Sequence, residues 1–237
     1  MNFLEVWRFG FPPIWVGSDL SDYRTADGTY DRYPLSSLPP TPDDEFNGDF
    51  QWLLSQPSPM DYDRRFQEFW TNYDALEKWK AEAPDRKSSL LCEAVDRNIK
   101  IPDAFFNFMD DIDLVARLRS PTDCYFDYPA TVIPYPTAHC GHFIHFWSDS
   151  QHCCMWYLYI DPQQNCVVVA SGAFLEEPHD DAFWQNEREQ IVYCAPSFES
   201  FIWRLWIENE IWFRLVERDQ PLTSEMKQYL HFYEMGN

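Results

Sequence analysis

The chain has 237 residues and a formal net charge of −21, and it is 45% hydrophobic and 18% aromatic. That apolar content excludes general disorder, which needs low hydrophobicity and few aromatics. The charge argues against nucleic-acid and anionic-membrane binding, which rely on clustered Lys and Arg, and favours fast encounter with basic partners.

The seven cysteines are odd in number and scattered. They read as small core fillers in a reducing cytoplasm. Residues 1–17 are apolar but interrupted by Glu5 and Arg8 and broken at Pro12-Pro13, so no signal segment is expected. No run approaches the roughly 20 apolar residues of a membrane helix.

In chain order, residues 1–59 read as an apolar start followed by a Pro-rich arm. Six prolines between 34 and 59 oppose long regular elements. Tyr23, Tyr30, Tyr33, Phe46, Phe50 and Trp52 predict that the arm wraps the rest of the chain. Residues 60–237 read as one domain. The spacing of Phe66, Phe69, Trp70, Tyr73, Leu76 and Trp79 predicts an amphipathic helix over 61–81, ended by Pro84. A shorter helix is expected at 89–98. Another begins at Pro102, with Phe105, Phe106, Phe108 and Met109 inward.

From Thr122 the pattern changes to strands. Short ones are expected at 124–128 and 131–135, and stronger ones at 141–147, 154–160, 166–170 and 191–194, joined by turns at 148–151 and 161–165. Short connections predict an antiparallel meander. Residues 176–189 are acidic and read as a surface excursion. Ser197 is a candidate cap for a long helix with Phe198, Phe201, Ile202, Leu205, Trp206, Trp212, Leu215 and Val216 on its apolar face. A last helix starts near Thr223. The expected class is α+β, an antiparallel sheet flanked by helices.

Four segments resemble motifs of one family. They are the Pro-led helix of residues 101–108 (IPDAFFNF), the small-residue-led strand of 141–146 (GHFIHF), the hairpin running from Asp149-Ser150-Gln151 to Trp156-Tyr157-Leu158-Tyr159, and the helix start of 195–201 (APSFESF). In this order they resemble the SUKH superfamily, which includes a fungal cell-wall-synthesis regulator and many bacterial immunity proteins encoded beside toxins. The likeness spans about residues 88–233. Many members carry Asn-Gly after the Pro-led helix; here Asp110-Asp111-Ile112-Asp113 stands instead. The resemblance implies a sheet flanked by helices, a protein-binding role, and no catalytic residues.

Residue types suited to other chemistry are present as well. His139, Cys140, His142, His145, His152, Cys153 and Cys154 are metal-ligand types, but His142 and His145 would point to opposite strand faces, which spoils a shared zinc site. The alternative reading is half-buried polar residues and core thiols, with no cofactor. A Cys-His nucleophile lacks a basic neighbour to stabilise a thiolate. Paired acids such as Asp43-Asp44 and Asp110-Asp111 read as solvated charge.

The expected function is a non-enzymatic SUKH-type immunity protein that neutralises a basic, nuclease-like toxin domain. Its contact surface is expected at Asp149, Gln151, Tyr157, Tyr159, Glu176, Glu177, Asp180 and Asp181. Exposed Tyr side chains and a negative field favour such an interface. The rival readings are a carbohydrate-binding module built on exposed aromatics and a zinc protein or hydrolase.

Overall fold

The computed structural model describes residues 10–72, 75–135, 141–177, 179, 183–184 and 190–235. In chain order the elements are β1 (Ile14–Gly17), β2 (Asp31–Pro34), α1 (Gln51–Leu54), α2 (Pro59–Tyr62), α3 (Arg64–Asn72), α4 (Ala75–Asp96), α5 (Asp103–Met109), α6 (Ile112–Val115), β3 (Tyr125–Phe126), β4 (Ile133–Pro134), β5 (His142–Ser148), β6 (Met155–Ile160), β7 (Cys166–Ser171), β8 (Ile191–Ala195), α7 (Phe198–Trp212) and α8 (Ser224–Met235). The fold is α+β.

The central sheet has six strands in the order β3-β5-β6-β7-β8, with β4 also paired to β5. All these pairings are antiparallel. Two D-x-Q sequences shape its turns. The carboxylate of Asp149 accepts from the backbone N–H groups of Gln151 and Cys153 at 2.9 and 3.2 Å. Asp161 does the same for Gln163 and Asn165 at 2.9 and 2.8 Å. Each Asp thus satisfies the turn backbone locally, as Asx turns do.

Alternation sorts the strand residues into two layers. Ile144, Trp156, Leu158, Val168 and Val192 belong to the larger core, and Phe143, Tyr157, Tyr159, Val169 and Tyr193 belong to a second one. A register shift between His145 and Trp147 interrupts the alternation. Phe146 and Trp147 therefore both enter the larger core.

On the larger-core side the sheet is covered by α5 and α7. Phe105, Phe146 and Phe198 meet edge to face at 5.1–6.1 Å. The second side is covered by Phe11, Ile133 and Tyr135 and by Phe174, Leu175, Phe183 and Trp184 from the chain after β7.

From Phe198 to Ile211, α7 is buried on every side. Its charged residues are matched by segments laid over it. Glu199 accepts from Gly48 N–H and Trp52 Nε1, at 2.6 and 2.9 Å. Arg204 donates to the Pro39 carbonyl and Tyr229 hydroxyl at 2.9 and 3.0 Å. Glu208 accepts from Trp15 Nε1 and from Arg24 Nη1 and Nη2, each at 2.7 Å. Burial of such groups is tolerated because each is hydrogen-bonded. The arm residues Trp15, Leu20, Leu38, Phe50 and Leu53 join the larger core, and β1 and β2 form their own hairpin.

Several helix expectations change: the helix expected over 61–81 divides among α2, α3 and α4, and the one expected at 89–98 falls within α4. Pro84 does not end its helix; α4 runs through it. Pro84 is exposed, so water can satisfy the carbonyl one turn back that loses its donor. The helix is pinned on both sides of the ring. Trp79 packs on Tyr128 at 5.8 Å, and Arg86 donates to Asp127 and to the Tyr128 carbonyl at 2.6 and 3.0 Å. Val216 is not on a buried face. The helix widens to a π-type turn over Phe213–Glu217, which leaves Val216 exposed.

Candidate functional site

The residues expected to form the contact surface do not share one environment. Asp149 is buried; besides capping its turn, it accepts from Tyr30 Oη at 2.7 Å. Tyr157 and Tyr159 are buried in the second core layer. The Tyr157 ring stacks on His145 at 4.7 Å, and Tyr159 meets Phe11 edge to face at 5.1 Å. These three are therefore structural in position, not surface residues. Both faces of the sheet are covered, and alternation alone does not reveal the second cover. Gln151, Glu176 and Glu177 are exposed. They lie at one end of the sheet, where the β5–β6 turn meets the chain after β7 through His152 against Phe174 at 4.8 Å. Asp180 and Asp181 lie outside the described residues.

A hydrogen-bond chain ties this end together. His145 Nδ1 lies 2.7 Å from Glu176 Oε1, and its Nε2 lies 2.8 Å from Ser148 Oγ. In the neutral ring Nδ1–H donates to Glu176 and Nε2 accepts from the Ser148 hydroxyl. Tyr157 Oη donates to the other Glu176 oxygen at 3.2 Å and accepts from Leu175 N–H at 3.2 Å. Burial pushes the Glu176 carboxyl up, but His145 and Tyr157 outweigh it and hold the group below the usual carboxylate range. The order Ser–His–Glu is that of a hydrolytic relay. Yet Ser148 is 1% exposed, which keeps a substrate carbonyl from its Oγ. The chain acts as a clasp between β5 and the segment after β7. No local pattern marks it, because Ser148 and Glu176 lie 28 positions apart.

The metal and thiol candidates also separate. His139 and Cys140 lie outside the described residues. Among the described residues no group of three or more His, Cys, Asp and Glu side chains is placed to hold a metal. Burial, with the nearby Arg97, lowers the pKa of His142. Burial raises the thiols of Cys124 and Cys154, and pushes those of Cys166 and Cys194 up to about 12. Such thiols stay protonated at neutral pH and are poor nucleophiles.

The second site is one the sequence did not single out. A cleft of about 490 Å³ opens between α3, α4, the 118–128 segment and the end of α7. Each wall has a local cause. On the 123–128 segment, Asp123, Tyr125 and Asp127 face outward while Cys124, Phe126 and Tyr128 face inward. The β5 bulge delivers Trp147, whose ring lies 4.1 Å from that of Phe126. α3 and α4 supply Phe66, Trp70 and Trp79. Phe69, expected on the inward stripe, is instead 47% exposed and stands at the mouth with Tyr125. Several charges in the wall answer one another. Arg119 is held by Glu210, Asp63 and Asp219 at 2.5–2.9 Å, with Phe213 beneath its guanidinium at 3.9 Å. Arg86 is paired with Glu82 and Asp127 at 3.2 and 2.6 Å.

Among the described residues no helix is long and apolar enough to cross a membrane. Comparison of the chain with protein-family models, with curated proteins and with solved structures finds no match.

Proposed function

We propose that this chain is a non-enzymatic protein-binding module of the SUKH type, an immunity protein that neutralises a basic toxin domain in the cytoplasm. The observation that carries the reading is the excess of negative charge. The chain has 18 Lys and Arg against 39 Asp and Glu. Several of the basic groups are turned inward or matched within the chain: Arg24, Arg119 and Arg204 are buried around α7, and Arg86 and Lys87 are paired with Asp127 and Asp110. Buried Asp149, Asp161, Glu199, Glu208 and Glu210 offset the buried arginines, so the surface keeps the strong negative excess of the composition. A negative surface accelerates encounter with a basic patch and gives little to a nucleic acid.

Two further points support it. The resembling segments fall on α5, β5, the β5–β6 hairpin and the start of α7, which pack together in one core. The exposed Gln151, Glu176 and Glu177 form an acidic, hydrogen-bonding edge. The carbohydrate alternative loses its platforms, because Trp147, Trp156, Tyr157 and Tyr159 are buried.

The test is capture of the adjacent gene's product by the purified chain, repeated from low to high salt. Steered binding should weaken steeply as salt rises. A Gln151→Lys/Glu177→Lys variant should slow association about tenfold at low salt, by removing local negative potential. Binding that is absent, or that ignores both salt and the charge change, refutes the reading.

A further inference from the structure

The aromatic cleft has properties that docking at the acidic edge does not use. Gln151, Glu176 and Glu177 are not among its lining residues. Its volume, about 490 Å³, lies in the range of small-molecule sites. Aromatic rings line much of its wall, among them Phe66, Trp70, Trp79, Phe126, Tyr128 and Trp147.

The hydrogen-bond inventory of these rings is uneven. Elsewhere in the fold, Trp15 and Trp52 donate to Glu208 and Glu199 at 2.7 and 2.9 Å, and Trp212, which also lines the cleft, donates to Asp19 at 3.0 Å. In the cleft wall, Trp70, Trp79 and Trp147 have Nε1 shielded from water and no acceptor among the described residues. Trp156 shares this condition outside the cleft. A shielded indole N–H without an acceptor is a standing desolvation cost. Three around one cavity amount to a local demand for acceptor atoms. Most of the cations in the wall are answered within the chain, since Arg119 and Arg86 are held by their own carboxylates and Arg65 lies 3.9 Å from Glu217, while Lys78 is exposed.

We propose that the cleft binds an uncharged, flat, mainly apolar small molecule carrying a hydrogen-bond acceptor such as a carbonyl or ether oxygen. The rings supply stacking surface. Small shifts of the indoles onto the guest's acceptor relieve the unmet donors. Phe69 and Tyr125 close over the guest at the mouth.

The probe is Nile red, which is neutral and planar, carries a carbonyl and fluoresces more strongly in an apolar site. Titration of the full chain should give a saturable, blue-shifted signal at one dye per chain. Ala83→Phe, which fills the cleft from α4, should weaken binding about tenfold or more, a clear loss on the affinity scale. Trp79→Phe keeps a ring and removes a donor; it should weaken binding about three- to tenfold, the worth of one neutral hydrogen bond. Gln151→Lys/Glu177→Lys should leave dye binding unchanged while altering protein capture, so failure of this idea is distinct from failure of the immunity reading. Should Ala83→Phe misfold, the indole N–H signals of the unsubstituted chain decide: those of Trp70, Trp79 and Trp147 must shift with dye. Non-saturable uptake, or unmoved indole signals, overturns the proposal.

Discussion

Removal of either Arg24 or Glu208 should be among the most damaging single changes available. Both side chains are nearly inaccessible, 5% and 3% exposed. The Glu208 carboxylate accepts two bonds from Arg24, one from Trp15 Nε1 and one from Tyr229 Oη, all within 2.6–2.7 Å. Glu208→Met leaves a buried guanidinium with no counter-ion, and Arg24→Met leaves a buried carboxylate without its main partner. Breaking a buried pair in this way costs about 3–5 kcal/mol. For a chain of this size that is a fall in Tm of about 6–20 °C. The double variant, with both ends apolar, should lose at least about 2 kcal/mol less than the sum of the singles. Burial pushes the Glu208 carboxyl up, yet Arg24 outweighs it and holds the group below the usual range. A depressed carboxylate stabilises the fold above its unfolded pKa and loses that contribution as pH falls through the lower folded value. The unsubstituted chain should therefore lose more stability on acidification than the double variant does. Urea unfolding followed by circular dichroism, at neutral and acid pH, measures all of this. Singles that cost under about 1 kcal/mol, or a strictly additive double variant, would refute the reasoning.

Two other outcomes follow from local geometry. A Cβ at Gly141 would collide with the Tyr159 ring, which is buried at 2% exposure and packed on Phe11 and Phe143. Gly141→Ala should therefore cost about 1–3 kcal/mol by overpacking, read as a lower urea midpoint with an unchanged slope; an unaltered midpoint would show that the ring can step aside. In the native chain, Cys92 and Cys153 are exposed while Cys154 and Cys194 are buried. Iodoacetamide with peptide mapping should mark the first two within minutes and leave the buried two unmodified until denaturant is added. Equal labelling of Cys194 in native protein would contradict its placement.

The strands were legible because their alternation is strong. Residues 141–147, 154–160, 166–170 and 191–194 match β5 to β8 to within a residue or so at each end. The helix start at Ser197 was legible for a local reason, as its hydroxyl accepts from Ser200 N–H at 3.1 Å. Burial of the second sheet face was not legible. The cover comes from Phe11, Tyr135 and Trp184, which are far apart in sequence and carry no shared pattern. Asp149 was misjudged as a surface residue although a usable signal existed. Asp161-Pro162-Gln163 repeats the D-x-Q spacing one strand later with the same backbone bonds, and that recurrence marks a turn device before it marks a contact. The charges of α7 carry no sequence signal of their role. Glu199, Arg204 and Glu208 are the points where the arm and the C-terminal helix attach.

These attachments bear on where recognition can occur. A sheet with one bare face would offer its tyrosines as a platform, the arrangement the sequence suggested. Here the second face is sealed and α7 is enclosed by the arm, so the usual broad surfaces are already used in folding. Among the described residues two open margins stand out. One margin is polar and acidic, at Gln151, Glu176 and Glu177, where the His145–Glu176 clasp fixes the segment that carries the acids. The other is apolar, at Phe69 and Tyr125 around the cleft. Charge steers over distances near the Debye length of about 8–10 Å, whereas apolar contact acts only on touching. Under the two proposals the acidic margin draws in a large basic partner and the cleft retains a small neutral guest, and neither role falls to the sheet.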